Sequence, residues 1–481
     1  MPPTRSQGES MTPSSGARGL DRRRIIFASL VGTTIEFYDF YIYATAAVSV
    51  FPLLFFPKGD ANVALLASMA TFGVAFVARP IGSIIFGHFG DRVGRKATLI
   101  GSLLLMGIAT FAIGLLPTYH QIGVFAPAML AILRFCQGLG LGGEWSGAAL
   151  LAAETAEPGR RARAAMWPQL GAPFGFLIAN GFFLLLTIAF GFNSTTATLD
   201  DPFVVWGWRI PFLASIVMVL LGLYVRFRLQ ETPVFARAVE RGEKLKSPLA
   251  HVVRNNGREL VLGTFAMVAT YGLFYLMTTW VLSYAIGKVE RGFLGINYRD
   301  FLVLQLVSML LFALFIPVSG YLADRFGRRK LLIAVTAAII AFGFCFGTFL
   351  SPAVMGSGED ANLGRMLAFL SVGMVLMGLT FGPMSALLPE MFPTNTRYTG
   401  SGVAYNMSSI IGAALTPFVA TWLALRFGVG AVGGYLSFLA SLTLVSLVLT
   451  RETKDTDLDT MADLSEPGGA GAAAAIEVTS P

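Results

Sequence analysis

Charge is scarce in this chain: 13% of its 481 residues are charged, where a soluble domain carries about 25%. Half of the usual water-facing surface is missing, so water is excluded as the main solvent. Cysteine is nearly absent. The two present, Cys136 and Cys345, fall inside apolar stretches and read as small packing residues, not as a disulfide framework. The sequence has no Cys/His metal set. It also lacks a glycine loop followed by Lys-Ser or Lys-Thr, which disfavours an ATP-driven pump and leaves no cofactor to hold. The alternating pattern of an outer-membrane barrel is missing as well.

What the chain does have is apolar length. It is 55% hydrophobic with a mean hydropathy of +0.68. Stretches of about 20 apolar residues, each able to cross a bilayer as a helix, recur at 25–50, 62–87, 97–116, 122–152, 162–190, 208–228, 259–287, 301–323, 331–351, 362–388, 398–425 and 430–450. This predicts an all-α membrane protein embedded in a lipid bilayer. The tail 1–24 ends in Asp21-Arg22-Arg23-Arg24. The apolar run after it outlasts a signal-peptide core and carries carboxylates, so it reads as a retained first span.

Basic residues fix the expected orientation. The N-terminal tail, the loops around 92–96, 160–163 and 325–330, the segment 226–258, and Arg397, Arg451 and Lys454 all fall on one side. The other side has only Lys58, Arg209, Lys288, Arg291, Arg299, Arg365 and Arg426. Both termini are therefore expected in the cytoplasm. The net charge of +7 follows from this topology, and nucleic acid is not an expected partner.

Two loops repeat. One reads Gly87-His88-Phe89-Gly90-Asp91-Arg92-Val93-Gly94-Arg95-Lys96, the other Gly320-Tyr321-Leu322-Ala323-Asp324-Arg325-Phe326-Gly327-Arg328-Arg329. Gly, Asp, Arg, Gly and Arg recur at identical spacing after the second and eighth spans. A second pair follows: Glu154 and Arg161 bracket the fourth cytoplasmic boundary as Glu390 and Arg397 bracket the tenth. The chain thus divides into a cytoplasmic tail 1–24, a six-helix bundle 25–228, a cytoplasmic loop 229–258, a second bundle 259–450 and a disordered tail 451–481. Duplicated halves suit alternating access around a midplane site. In the loops, the Asp can pair with arginines or cap a helix N-terminus across the seam between halves.

The loop resembles the signature of the major facilitator superfamily over roughly 25–450. That likeness implies the twelve-transmembrane-helix fold, with two six-helix bundles related by pseudo-two-fold symmetry. A narrower resemblance rests on Gly32-Thr33-Thr34-Ile35-Glu36-Phe37-Tyr38-Asp39-Phe40, Ala78-Arg79-Pro80-Ile81-Gly82 and Arg134-Phe135-Cys136-Gln137-Gly138 with Gly142-Gly143-Glu144. Trp206-Gly207-Trp208-Arg209-Ile210-Pro211-Phe212, Leu388-Pro389-Glu390-Met391-Phe392-Pro393 and Arg397-Tyr398-Thr399-Gly400 complete it. Together these look like the metabolite:proton symporter family. The resemblance implies a monomeric, non-enzymatic carrier in the bacterial inner membrane that takes up shikimate, 2-oxoglutarate, a dicarboxylate, or an osmolyte such as proline or betaine. An osmosensing member would be expected to carry a coiled-coil tail, and no heptads follow Arg451. A non-transporting sensor on the same fold is the alternative from another class.

Charged side chains inside a span are functional candidates. Glu36 and Asp39 share a helical face with Tyr43, and two carboxylates in a low-dielectric cavity suit a group that gains and loses a proton. The alternative is that both are fixed in pairs with Arg79 or Arg134. Arg79 is an ion-pair partner, an anion contact or a snorkelling flank. Arg134 lies deeper, on a stripe with Gln137 and Glu144, either binding an anion, relaying a proton, or pairing structurally. Glu144 is a further coupling candidate. The second half offers neutral polar groups instead: Tyr271, Tyr275 and Thr278, then Gln305 and Asn406, with Gln169 from the fifth span. The expected division places proton and anion handling in the first half, with shape and hydrogen bonding in the second.

Overall fold

In a computed structural model the protein is described over residues 15–56, 60–93, 95–142, 159–192, 197–228, 248–393 and 396–454. Gly94, Glu144 and Glu154 lie outside the described residues, as do the surroundings of Gly87 and the side chains of Asp91, Arg92 and Arg95. Most of the central loop and the tail beyond 454 also lie outside them.

Twelve long helices carry the described residues. The first six are α1 (Ser15–Ser49), α2 (Ala61–Val93), α3 (Arg95–Leu115), α4 (Phe125–Leu141), α5 (Arg161–Phe190) and α6 (Arg209–Arg228). The second six begin with α7 (Gly257–Ile286), α8 (Tyr298–Phe326), α9 (Arg328–Phe349) and α10 (Leu363–Glu390). α11 follows as Arg397–Ser409 continued by Ile410–Ala414 and Thr416–Phe427, and α12 is Val429–Leu449. Among the described residues nine helices are long and apolar enough to cross a membrane, and α3 and α4 supply the shorter apolar helices Ile100–Leu115 and Phe125–Leu141. The remaining long helix, α1, carries the buried Glu36 and Asp39. It starts ten residues before the apolar span at 25, because charge ends contact with hydrocarbon but does not end a helix.

Each bundle repeats one packing plan. α1 packs on α5, α2 on α4 and α3 on α6, just as α7 packs on α11, α8 on α10 and α9 on α12. The bundles meet where α5 lies against α8 and α10, and where α2 lies against α11. Large apolar side chains such as Phe344, Phe125 and Phe438 are exposed at the periphery, where lipid is the solvent.

Small residues set the depth of the site. A Cβ on Gly138 of α4 would collide with the backbone carbonyl of Ala75, and one on Gly142 with that of Arg79. Backbone contact between α2 and α4 is what brings Arg79 and Arg134 toward the same interior. The C-terminal bundle has a different local feature. Single π-helical turns interrupt α7 at Leu276–Trp280 and α11 at Ile410–Ala414, a widening of the helix that is frequent at functional sites.

Glu452 and Thr453, just past α12, find hydrogen-bond partners on α9 and α10.

Candidate substrate and proton site

α1 places Glu36, Asp39, Phe40 and Tyr43 on one face at helical spacing, and all four are buried. Sharing a face does not give them a shared partner. Glu36 turns to α2, where Arg79 Nη2 stands 3.8 Å from its Oε1. Arg79 is 4% exposed. Its guanidinium also lies over the Phe40 and Phe76 rings, 4.8 and 4.9 Å from their centroids.

Asp39 turns to α3 and α4. Thr110 Oγ1 donates to Asp39 Oδ2 at 3.0 Å, Gln137 Nε2 donates to Thr110 Oγ1 at 2.8 Å, and Arg134 Nη1 donates to Gln137 Oε1 at 2.5 Å. Asp39 and Arg134 are thus linked through two neutral side chains, without a direct ion pair. Arg134 has 0% exposure and lies over Tyr43, Phe40 and Phe72 at 4.0, 4.3 and 5.2 Å. Tyr43 is fixed in turn by its hydroxyl donating to Thr71 Oγ1 at 2.8 Å. The Phe40 ring therefore serves both guanidiniums.

Among the described residues Asp39 Oδ1, Arg134 Nε and Arg134 Nη2 are buried without a hydrogen-bond partner, as is Arg79 Nε. A charged group in a dry interior is costly unless its lone pairs and protons are matched. The arrangement leaves a carboxylate able to take a proton and two guanidinium nitrogens whose N–H groups can take an acceptor.

The C-terminal bundle closes the cluster with rings. Tyr275 of α7 packs against Phe72 and Phe76 of α2, with centroids 5.4 and 5.3 Å apart, and Tyr271 stacks on Tyr275 at 6.4 Å. Tyr405 of α11 lies 5.3 Å from Tyr271. Thr278, expected to face a ligand, donates to its own helix at Phe274 O, 2.7 Å away. Gln305 of α8 spends its amide group on the π-turn, donating to Met277 O and Thr278 O at 3.0 Å each. Its Oε1 remains buried without a partner.

Gln169 and Asn406 each reach across the seam between the halves. Gln169 Nε2 donates across the seam to Phe381 O at 3.3 Å, and Asn406 Nδ2 donates to Gly142 O at 3.2 Å. Both draw the halves together. A groove of about 440 Å³ lies apart from the cluster, lined by Thr187, Phe192, Asn297, Arg299 and Asp300 among others.

At the other end of the bundle the second loop forms a compact ionic network. Asp324 caps the N-terminus of α5 across the seam, accepting from Ala162 N and Arg163 N at 3.1 Å each. It also pairs with Arg163 Nε at 3.4 Å and Arg328 Nη2 at 3.3 Å. The same Arg328 atom reaches Glu390 at 3.2 Å. Gly320 packs against Met166 and Ala162 of α5, where a side chain would collide. Gly327 carries a φ of +101° directly before α9, a conformation that favours glycine. Arg397 Nε donates to Phe392 O at 3.3 Å. Arg325 contributes its carbonyl, which accepts from Lys454 Nζ at 3.1 Å, and Arg161 opens α5 beside this network.

Sequence reasoning missed Thr110, the Phe40–Phe72–Phe76 ring set, Glu452 and Thr453. Thr110 is uncharged, so a search for intramembrane charge passes over it. Glu452 caps α9 through Arg328 N at 2.9 Å and Arg329 N at 3.2 Å, and Thr453 Oγ1 donates to Glu390 Oε2 at 2.6 Å. A signal for these two was present: a Glu-Thr pair follows both the sixth and the twelfth span, as Glu231-Thr232 and Glu452-Thr453.

Two matched six-helix bundles around a buried charged cluster define a membrane carrier. The chain belongs to the Major Facilitator Superfamily, whose profile matches residues 29–409 and 291–466. Among its relatives it is 52% identical to the inner membrane metabolite transport protein YhjE of Escherichia coli, covering 91% of this chain and 96% of that one. It is 35% identical to the Escherichia coli shikimate transporter, over 87% and 92% of the two chains. With the proline/betaine transporter of Salmonella typhimurium it shares 33% identity over 83% and 77%. The fold matches the solved proton:xylose symporter XylE with a TM-score of 0.68 at 17% identity, covering 93% of this chain and 100% of that one.

Proposed function

We propose that this transporter is a proton-coupled symporter that imports a small organic acid across the bacterial inner membrane by alternating access. The observation that carries the reading is Arg134. It is a fully buried guanidinium with two unmatched N–H donors and no carboxylate paired to it among the described residues. A planar fork of donors in a dry site suits a carboxylate. Asp39, one oxygen unmatched, carries the coupled proton, and the Glu36–Arg79 pair sits beside it as a second exchangeable ion pair. Tyr271, Tyr275 and the free Oε1 of Gln305 supply hydrogen bonds and apolar faces from the other bundle. Gln169 and Asn406 hold the seam closed. The Asp324–Arg328–Glu390 network, together with Arg161 and Arg397, sets the balance between inward- and outward-facing states, as do the loop residues Asp91 and Arg92. The chain works as a monomer with both termini in the cytoplasm.

A zwitterionic osmolyte is the second reading, supported by the proline/betaine relatives. The stacked Tyr271 and Tyr275 present aromatic faces of the kind that hold a quaternary ammonium, with Arg134 taking the carboxylate. Uptake into proteoliposomes under an imposed inward proton gradient separates the two, using labelled shikimate, 2-oxoglutarate, citrate, proline and betaine. The first reading expects accumulation of an acid that stops when the gradient is collapsed. Accumulation of betaine or proline alone selects the second, and accumulation that ignores the gradient removes proton coupling from both.

A further inference from the structure

Asp39 is 0% exposed, and on the reading above it changes charge. Both of its protonation states must therefore be served by side chains. Facing it and Thr110 from the surrounding helices are Gln137 and Arg134 of α4. Glu36 of α1 and Arg79 of α2 are engaged with one another. From α6, Arg209 is directed to the end of α3, donating to Gly114 O and Leu116 O at 2.8 and 2.7 Å. The Tyr38 hydroxyl of α1 donates away to Pro211 O at 2.9 Å. Thr110 is thus the group in hydrogen-bond contact with the carboxylate.

Its hydroxyl has two possible acceptors at nearly equal distance: Asp39 Oδ2 at 3.0 Å and the carbonyl of Met106, one turn back on its own helix, at 2.9 Å. A hydroxyl has one proton to give and two lone pairs to receive with. One of those lone pairs already accepts from Gln137 Nε2.

We propose that Thr110 is the positioning residue for proton binding, a two-way hydroxyl that follows the charge on Asp39. When Asp39 is ionised, Thr110 donates to its Oδ2. When Asp39 takes a proton, the Thr110 hydroxyl rotates to the Met106 carbonyl, and its second lone pair accepts from the new carboxylic O–H. Gln137 donates to the same oxygen in both states, and Gln137 Oε1 keeps its hold on Arg134 Nη1. Proton binding on Oδ2 reverses the direction of the Asp39–Thr110 hydrogen bond, so that this contact stays matched in both states. The proposal deepens the assignment of the coupled proton to Asp39 and rests on it.

Serine keeps this two-way hydroxyl, and valine keeps the shape but removes it. The test needs no substrate. Full-length protein in lipid membranes is titrated by infrared difference spectroscopy, with the proton itself as probe. The Asp39 band is identified as the carboxylic acid C=O band lost in Asp39→Asn. Valine removes the Thr110 contact from both states, and the bond to the ionised carboxylate is the stronger of the two, so Thr110→Val is expected to move the pH midpoint of that band upward by about one unit. Thr110→Ser is expected to keep the wild-type midpoint. An unchanged midpoint in folded Thr110→Val, or an equal displacement in Thr110→Ser, overturns the two-way hydroxyl and leaves Asp39 as the proton carrier. If Asp39→Asn removes no titrating band, the assignment of the proton to Asp39 fails, and this inference fails with it. Thermal denaturation of each variant in detergent establishes that valine has not unfolded the bundle.

Discussion

In the N-terminal bundle the interior holds Glu36, Asp39, Arg79 and Arg134, every one of them buried. In the C-terminal bundle the facing space holds Tyr271, Tyr275, Tyr405 and Gln305, and its helices α7 and α11 carry π-helical turns that the charged helices lack. The packing plan is shared, so the duplication explains the scaffold and not the chemistry. The charged half is rigidified by backbone contact between α2 and α4, and its guanidiniums lie on rings. The neutral half is locally widened, and Gln305 matches two of the carbonyls there. The proposed division, with proton and anion handled in one bundle and shape read in the other, rests on that difference.

The comparison breaks most visibly at Arg134. Arg134→Ala removes the buried cation that would meet a substrate carboxylate, and uptake at limiting substrate is expected to fall about 100-fold. Arg134→Lys keeps the charge without the planar fork and is expected to recover only a small part. Equal uptake by all three proteins would place Arg134 among the structural residues.

The ionic network is the next lever. Asp324→Asn keeps an acceptor for the α5 N-terminus but loses the pairs to Arg163 and Arg328. Loss of a buried pair is costly, so the seam beside the network should open more often. A cysteine introduced at Ala162, buried in this state, is expected to react with an impermeant maleimide about tenfold faster in inside-out vesicles. An unchanged rate would mean that the network does not hold the seam.

A smaller effect is expected in the neutral half. Gln305→Ala removes a hydrogen-bond acceptor and exposes Met277 O and Thr278 O. The KM for the transported solute should rise about fivefold to tenfold with little change in maximal rate. A drop in rate alone would assign Gln305 to the motion of α7.

Much of the fold was legible because bilayer-spanning length and basic loops are written in single residues. The boundaries of α8, α9, α10 and α12 fall within a few residues of their apolar spans. The partners inside the site were less legible. Glu36 and Asp39 share a face at i and i+3, but which neighbour each meets depends on how α2, α3 and α4 pack. Periodicity along α1 says nothing of that. Thr110 carries no charge to mark it, and Gln305 looks like a ligand contact until the π-turn carbonyls it satisfies are in view. Glu452 was hidden by reading the end of the last apolar run as the end of the fold.

The most direct test is accumulation driven by a pH gradient in proteoliposomes containing wild type or Asp39→Asn, with counterflow measured on the same vesicles. The account predicts that wild type accumulates its solute only while the gradient lasts. It predicts that Asp39→Asn loses accumulation and retains counterflow. Uphill accumulation by Asp39→Asn equal to that of wild type would contradict it.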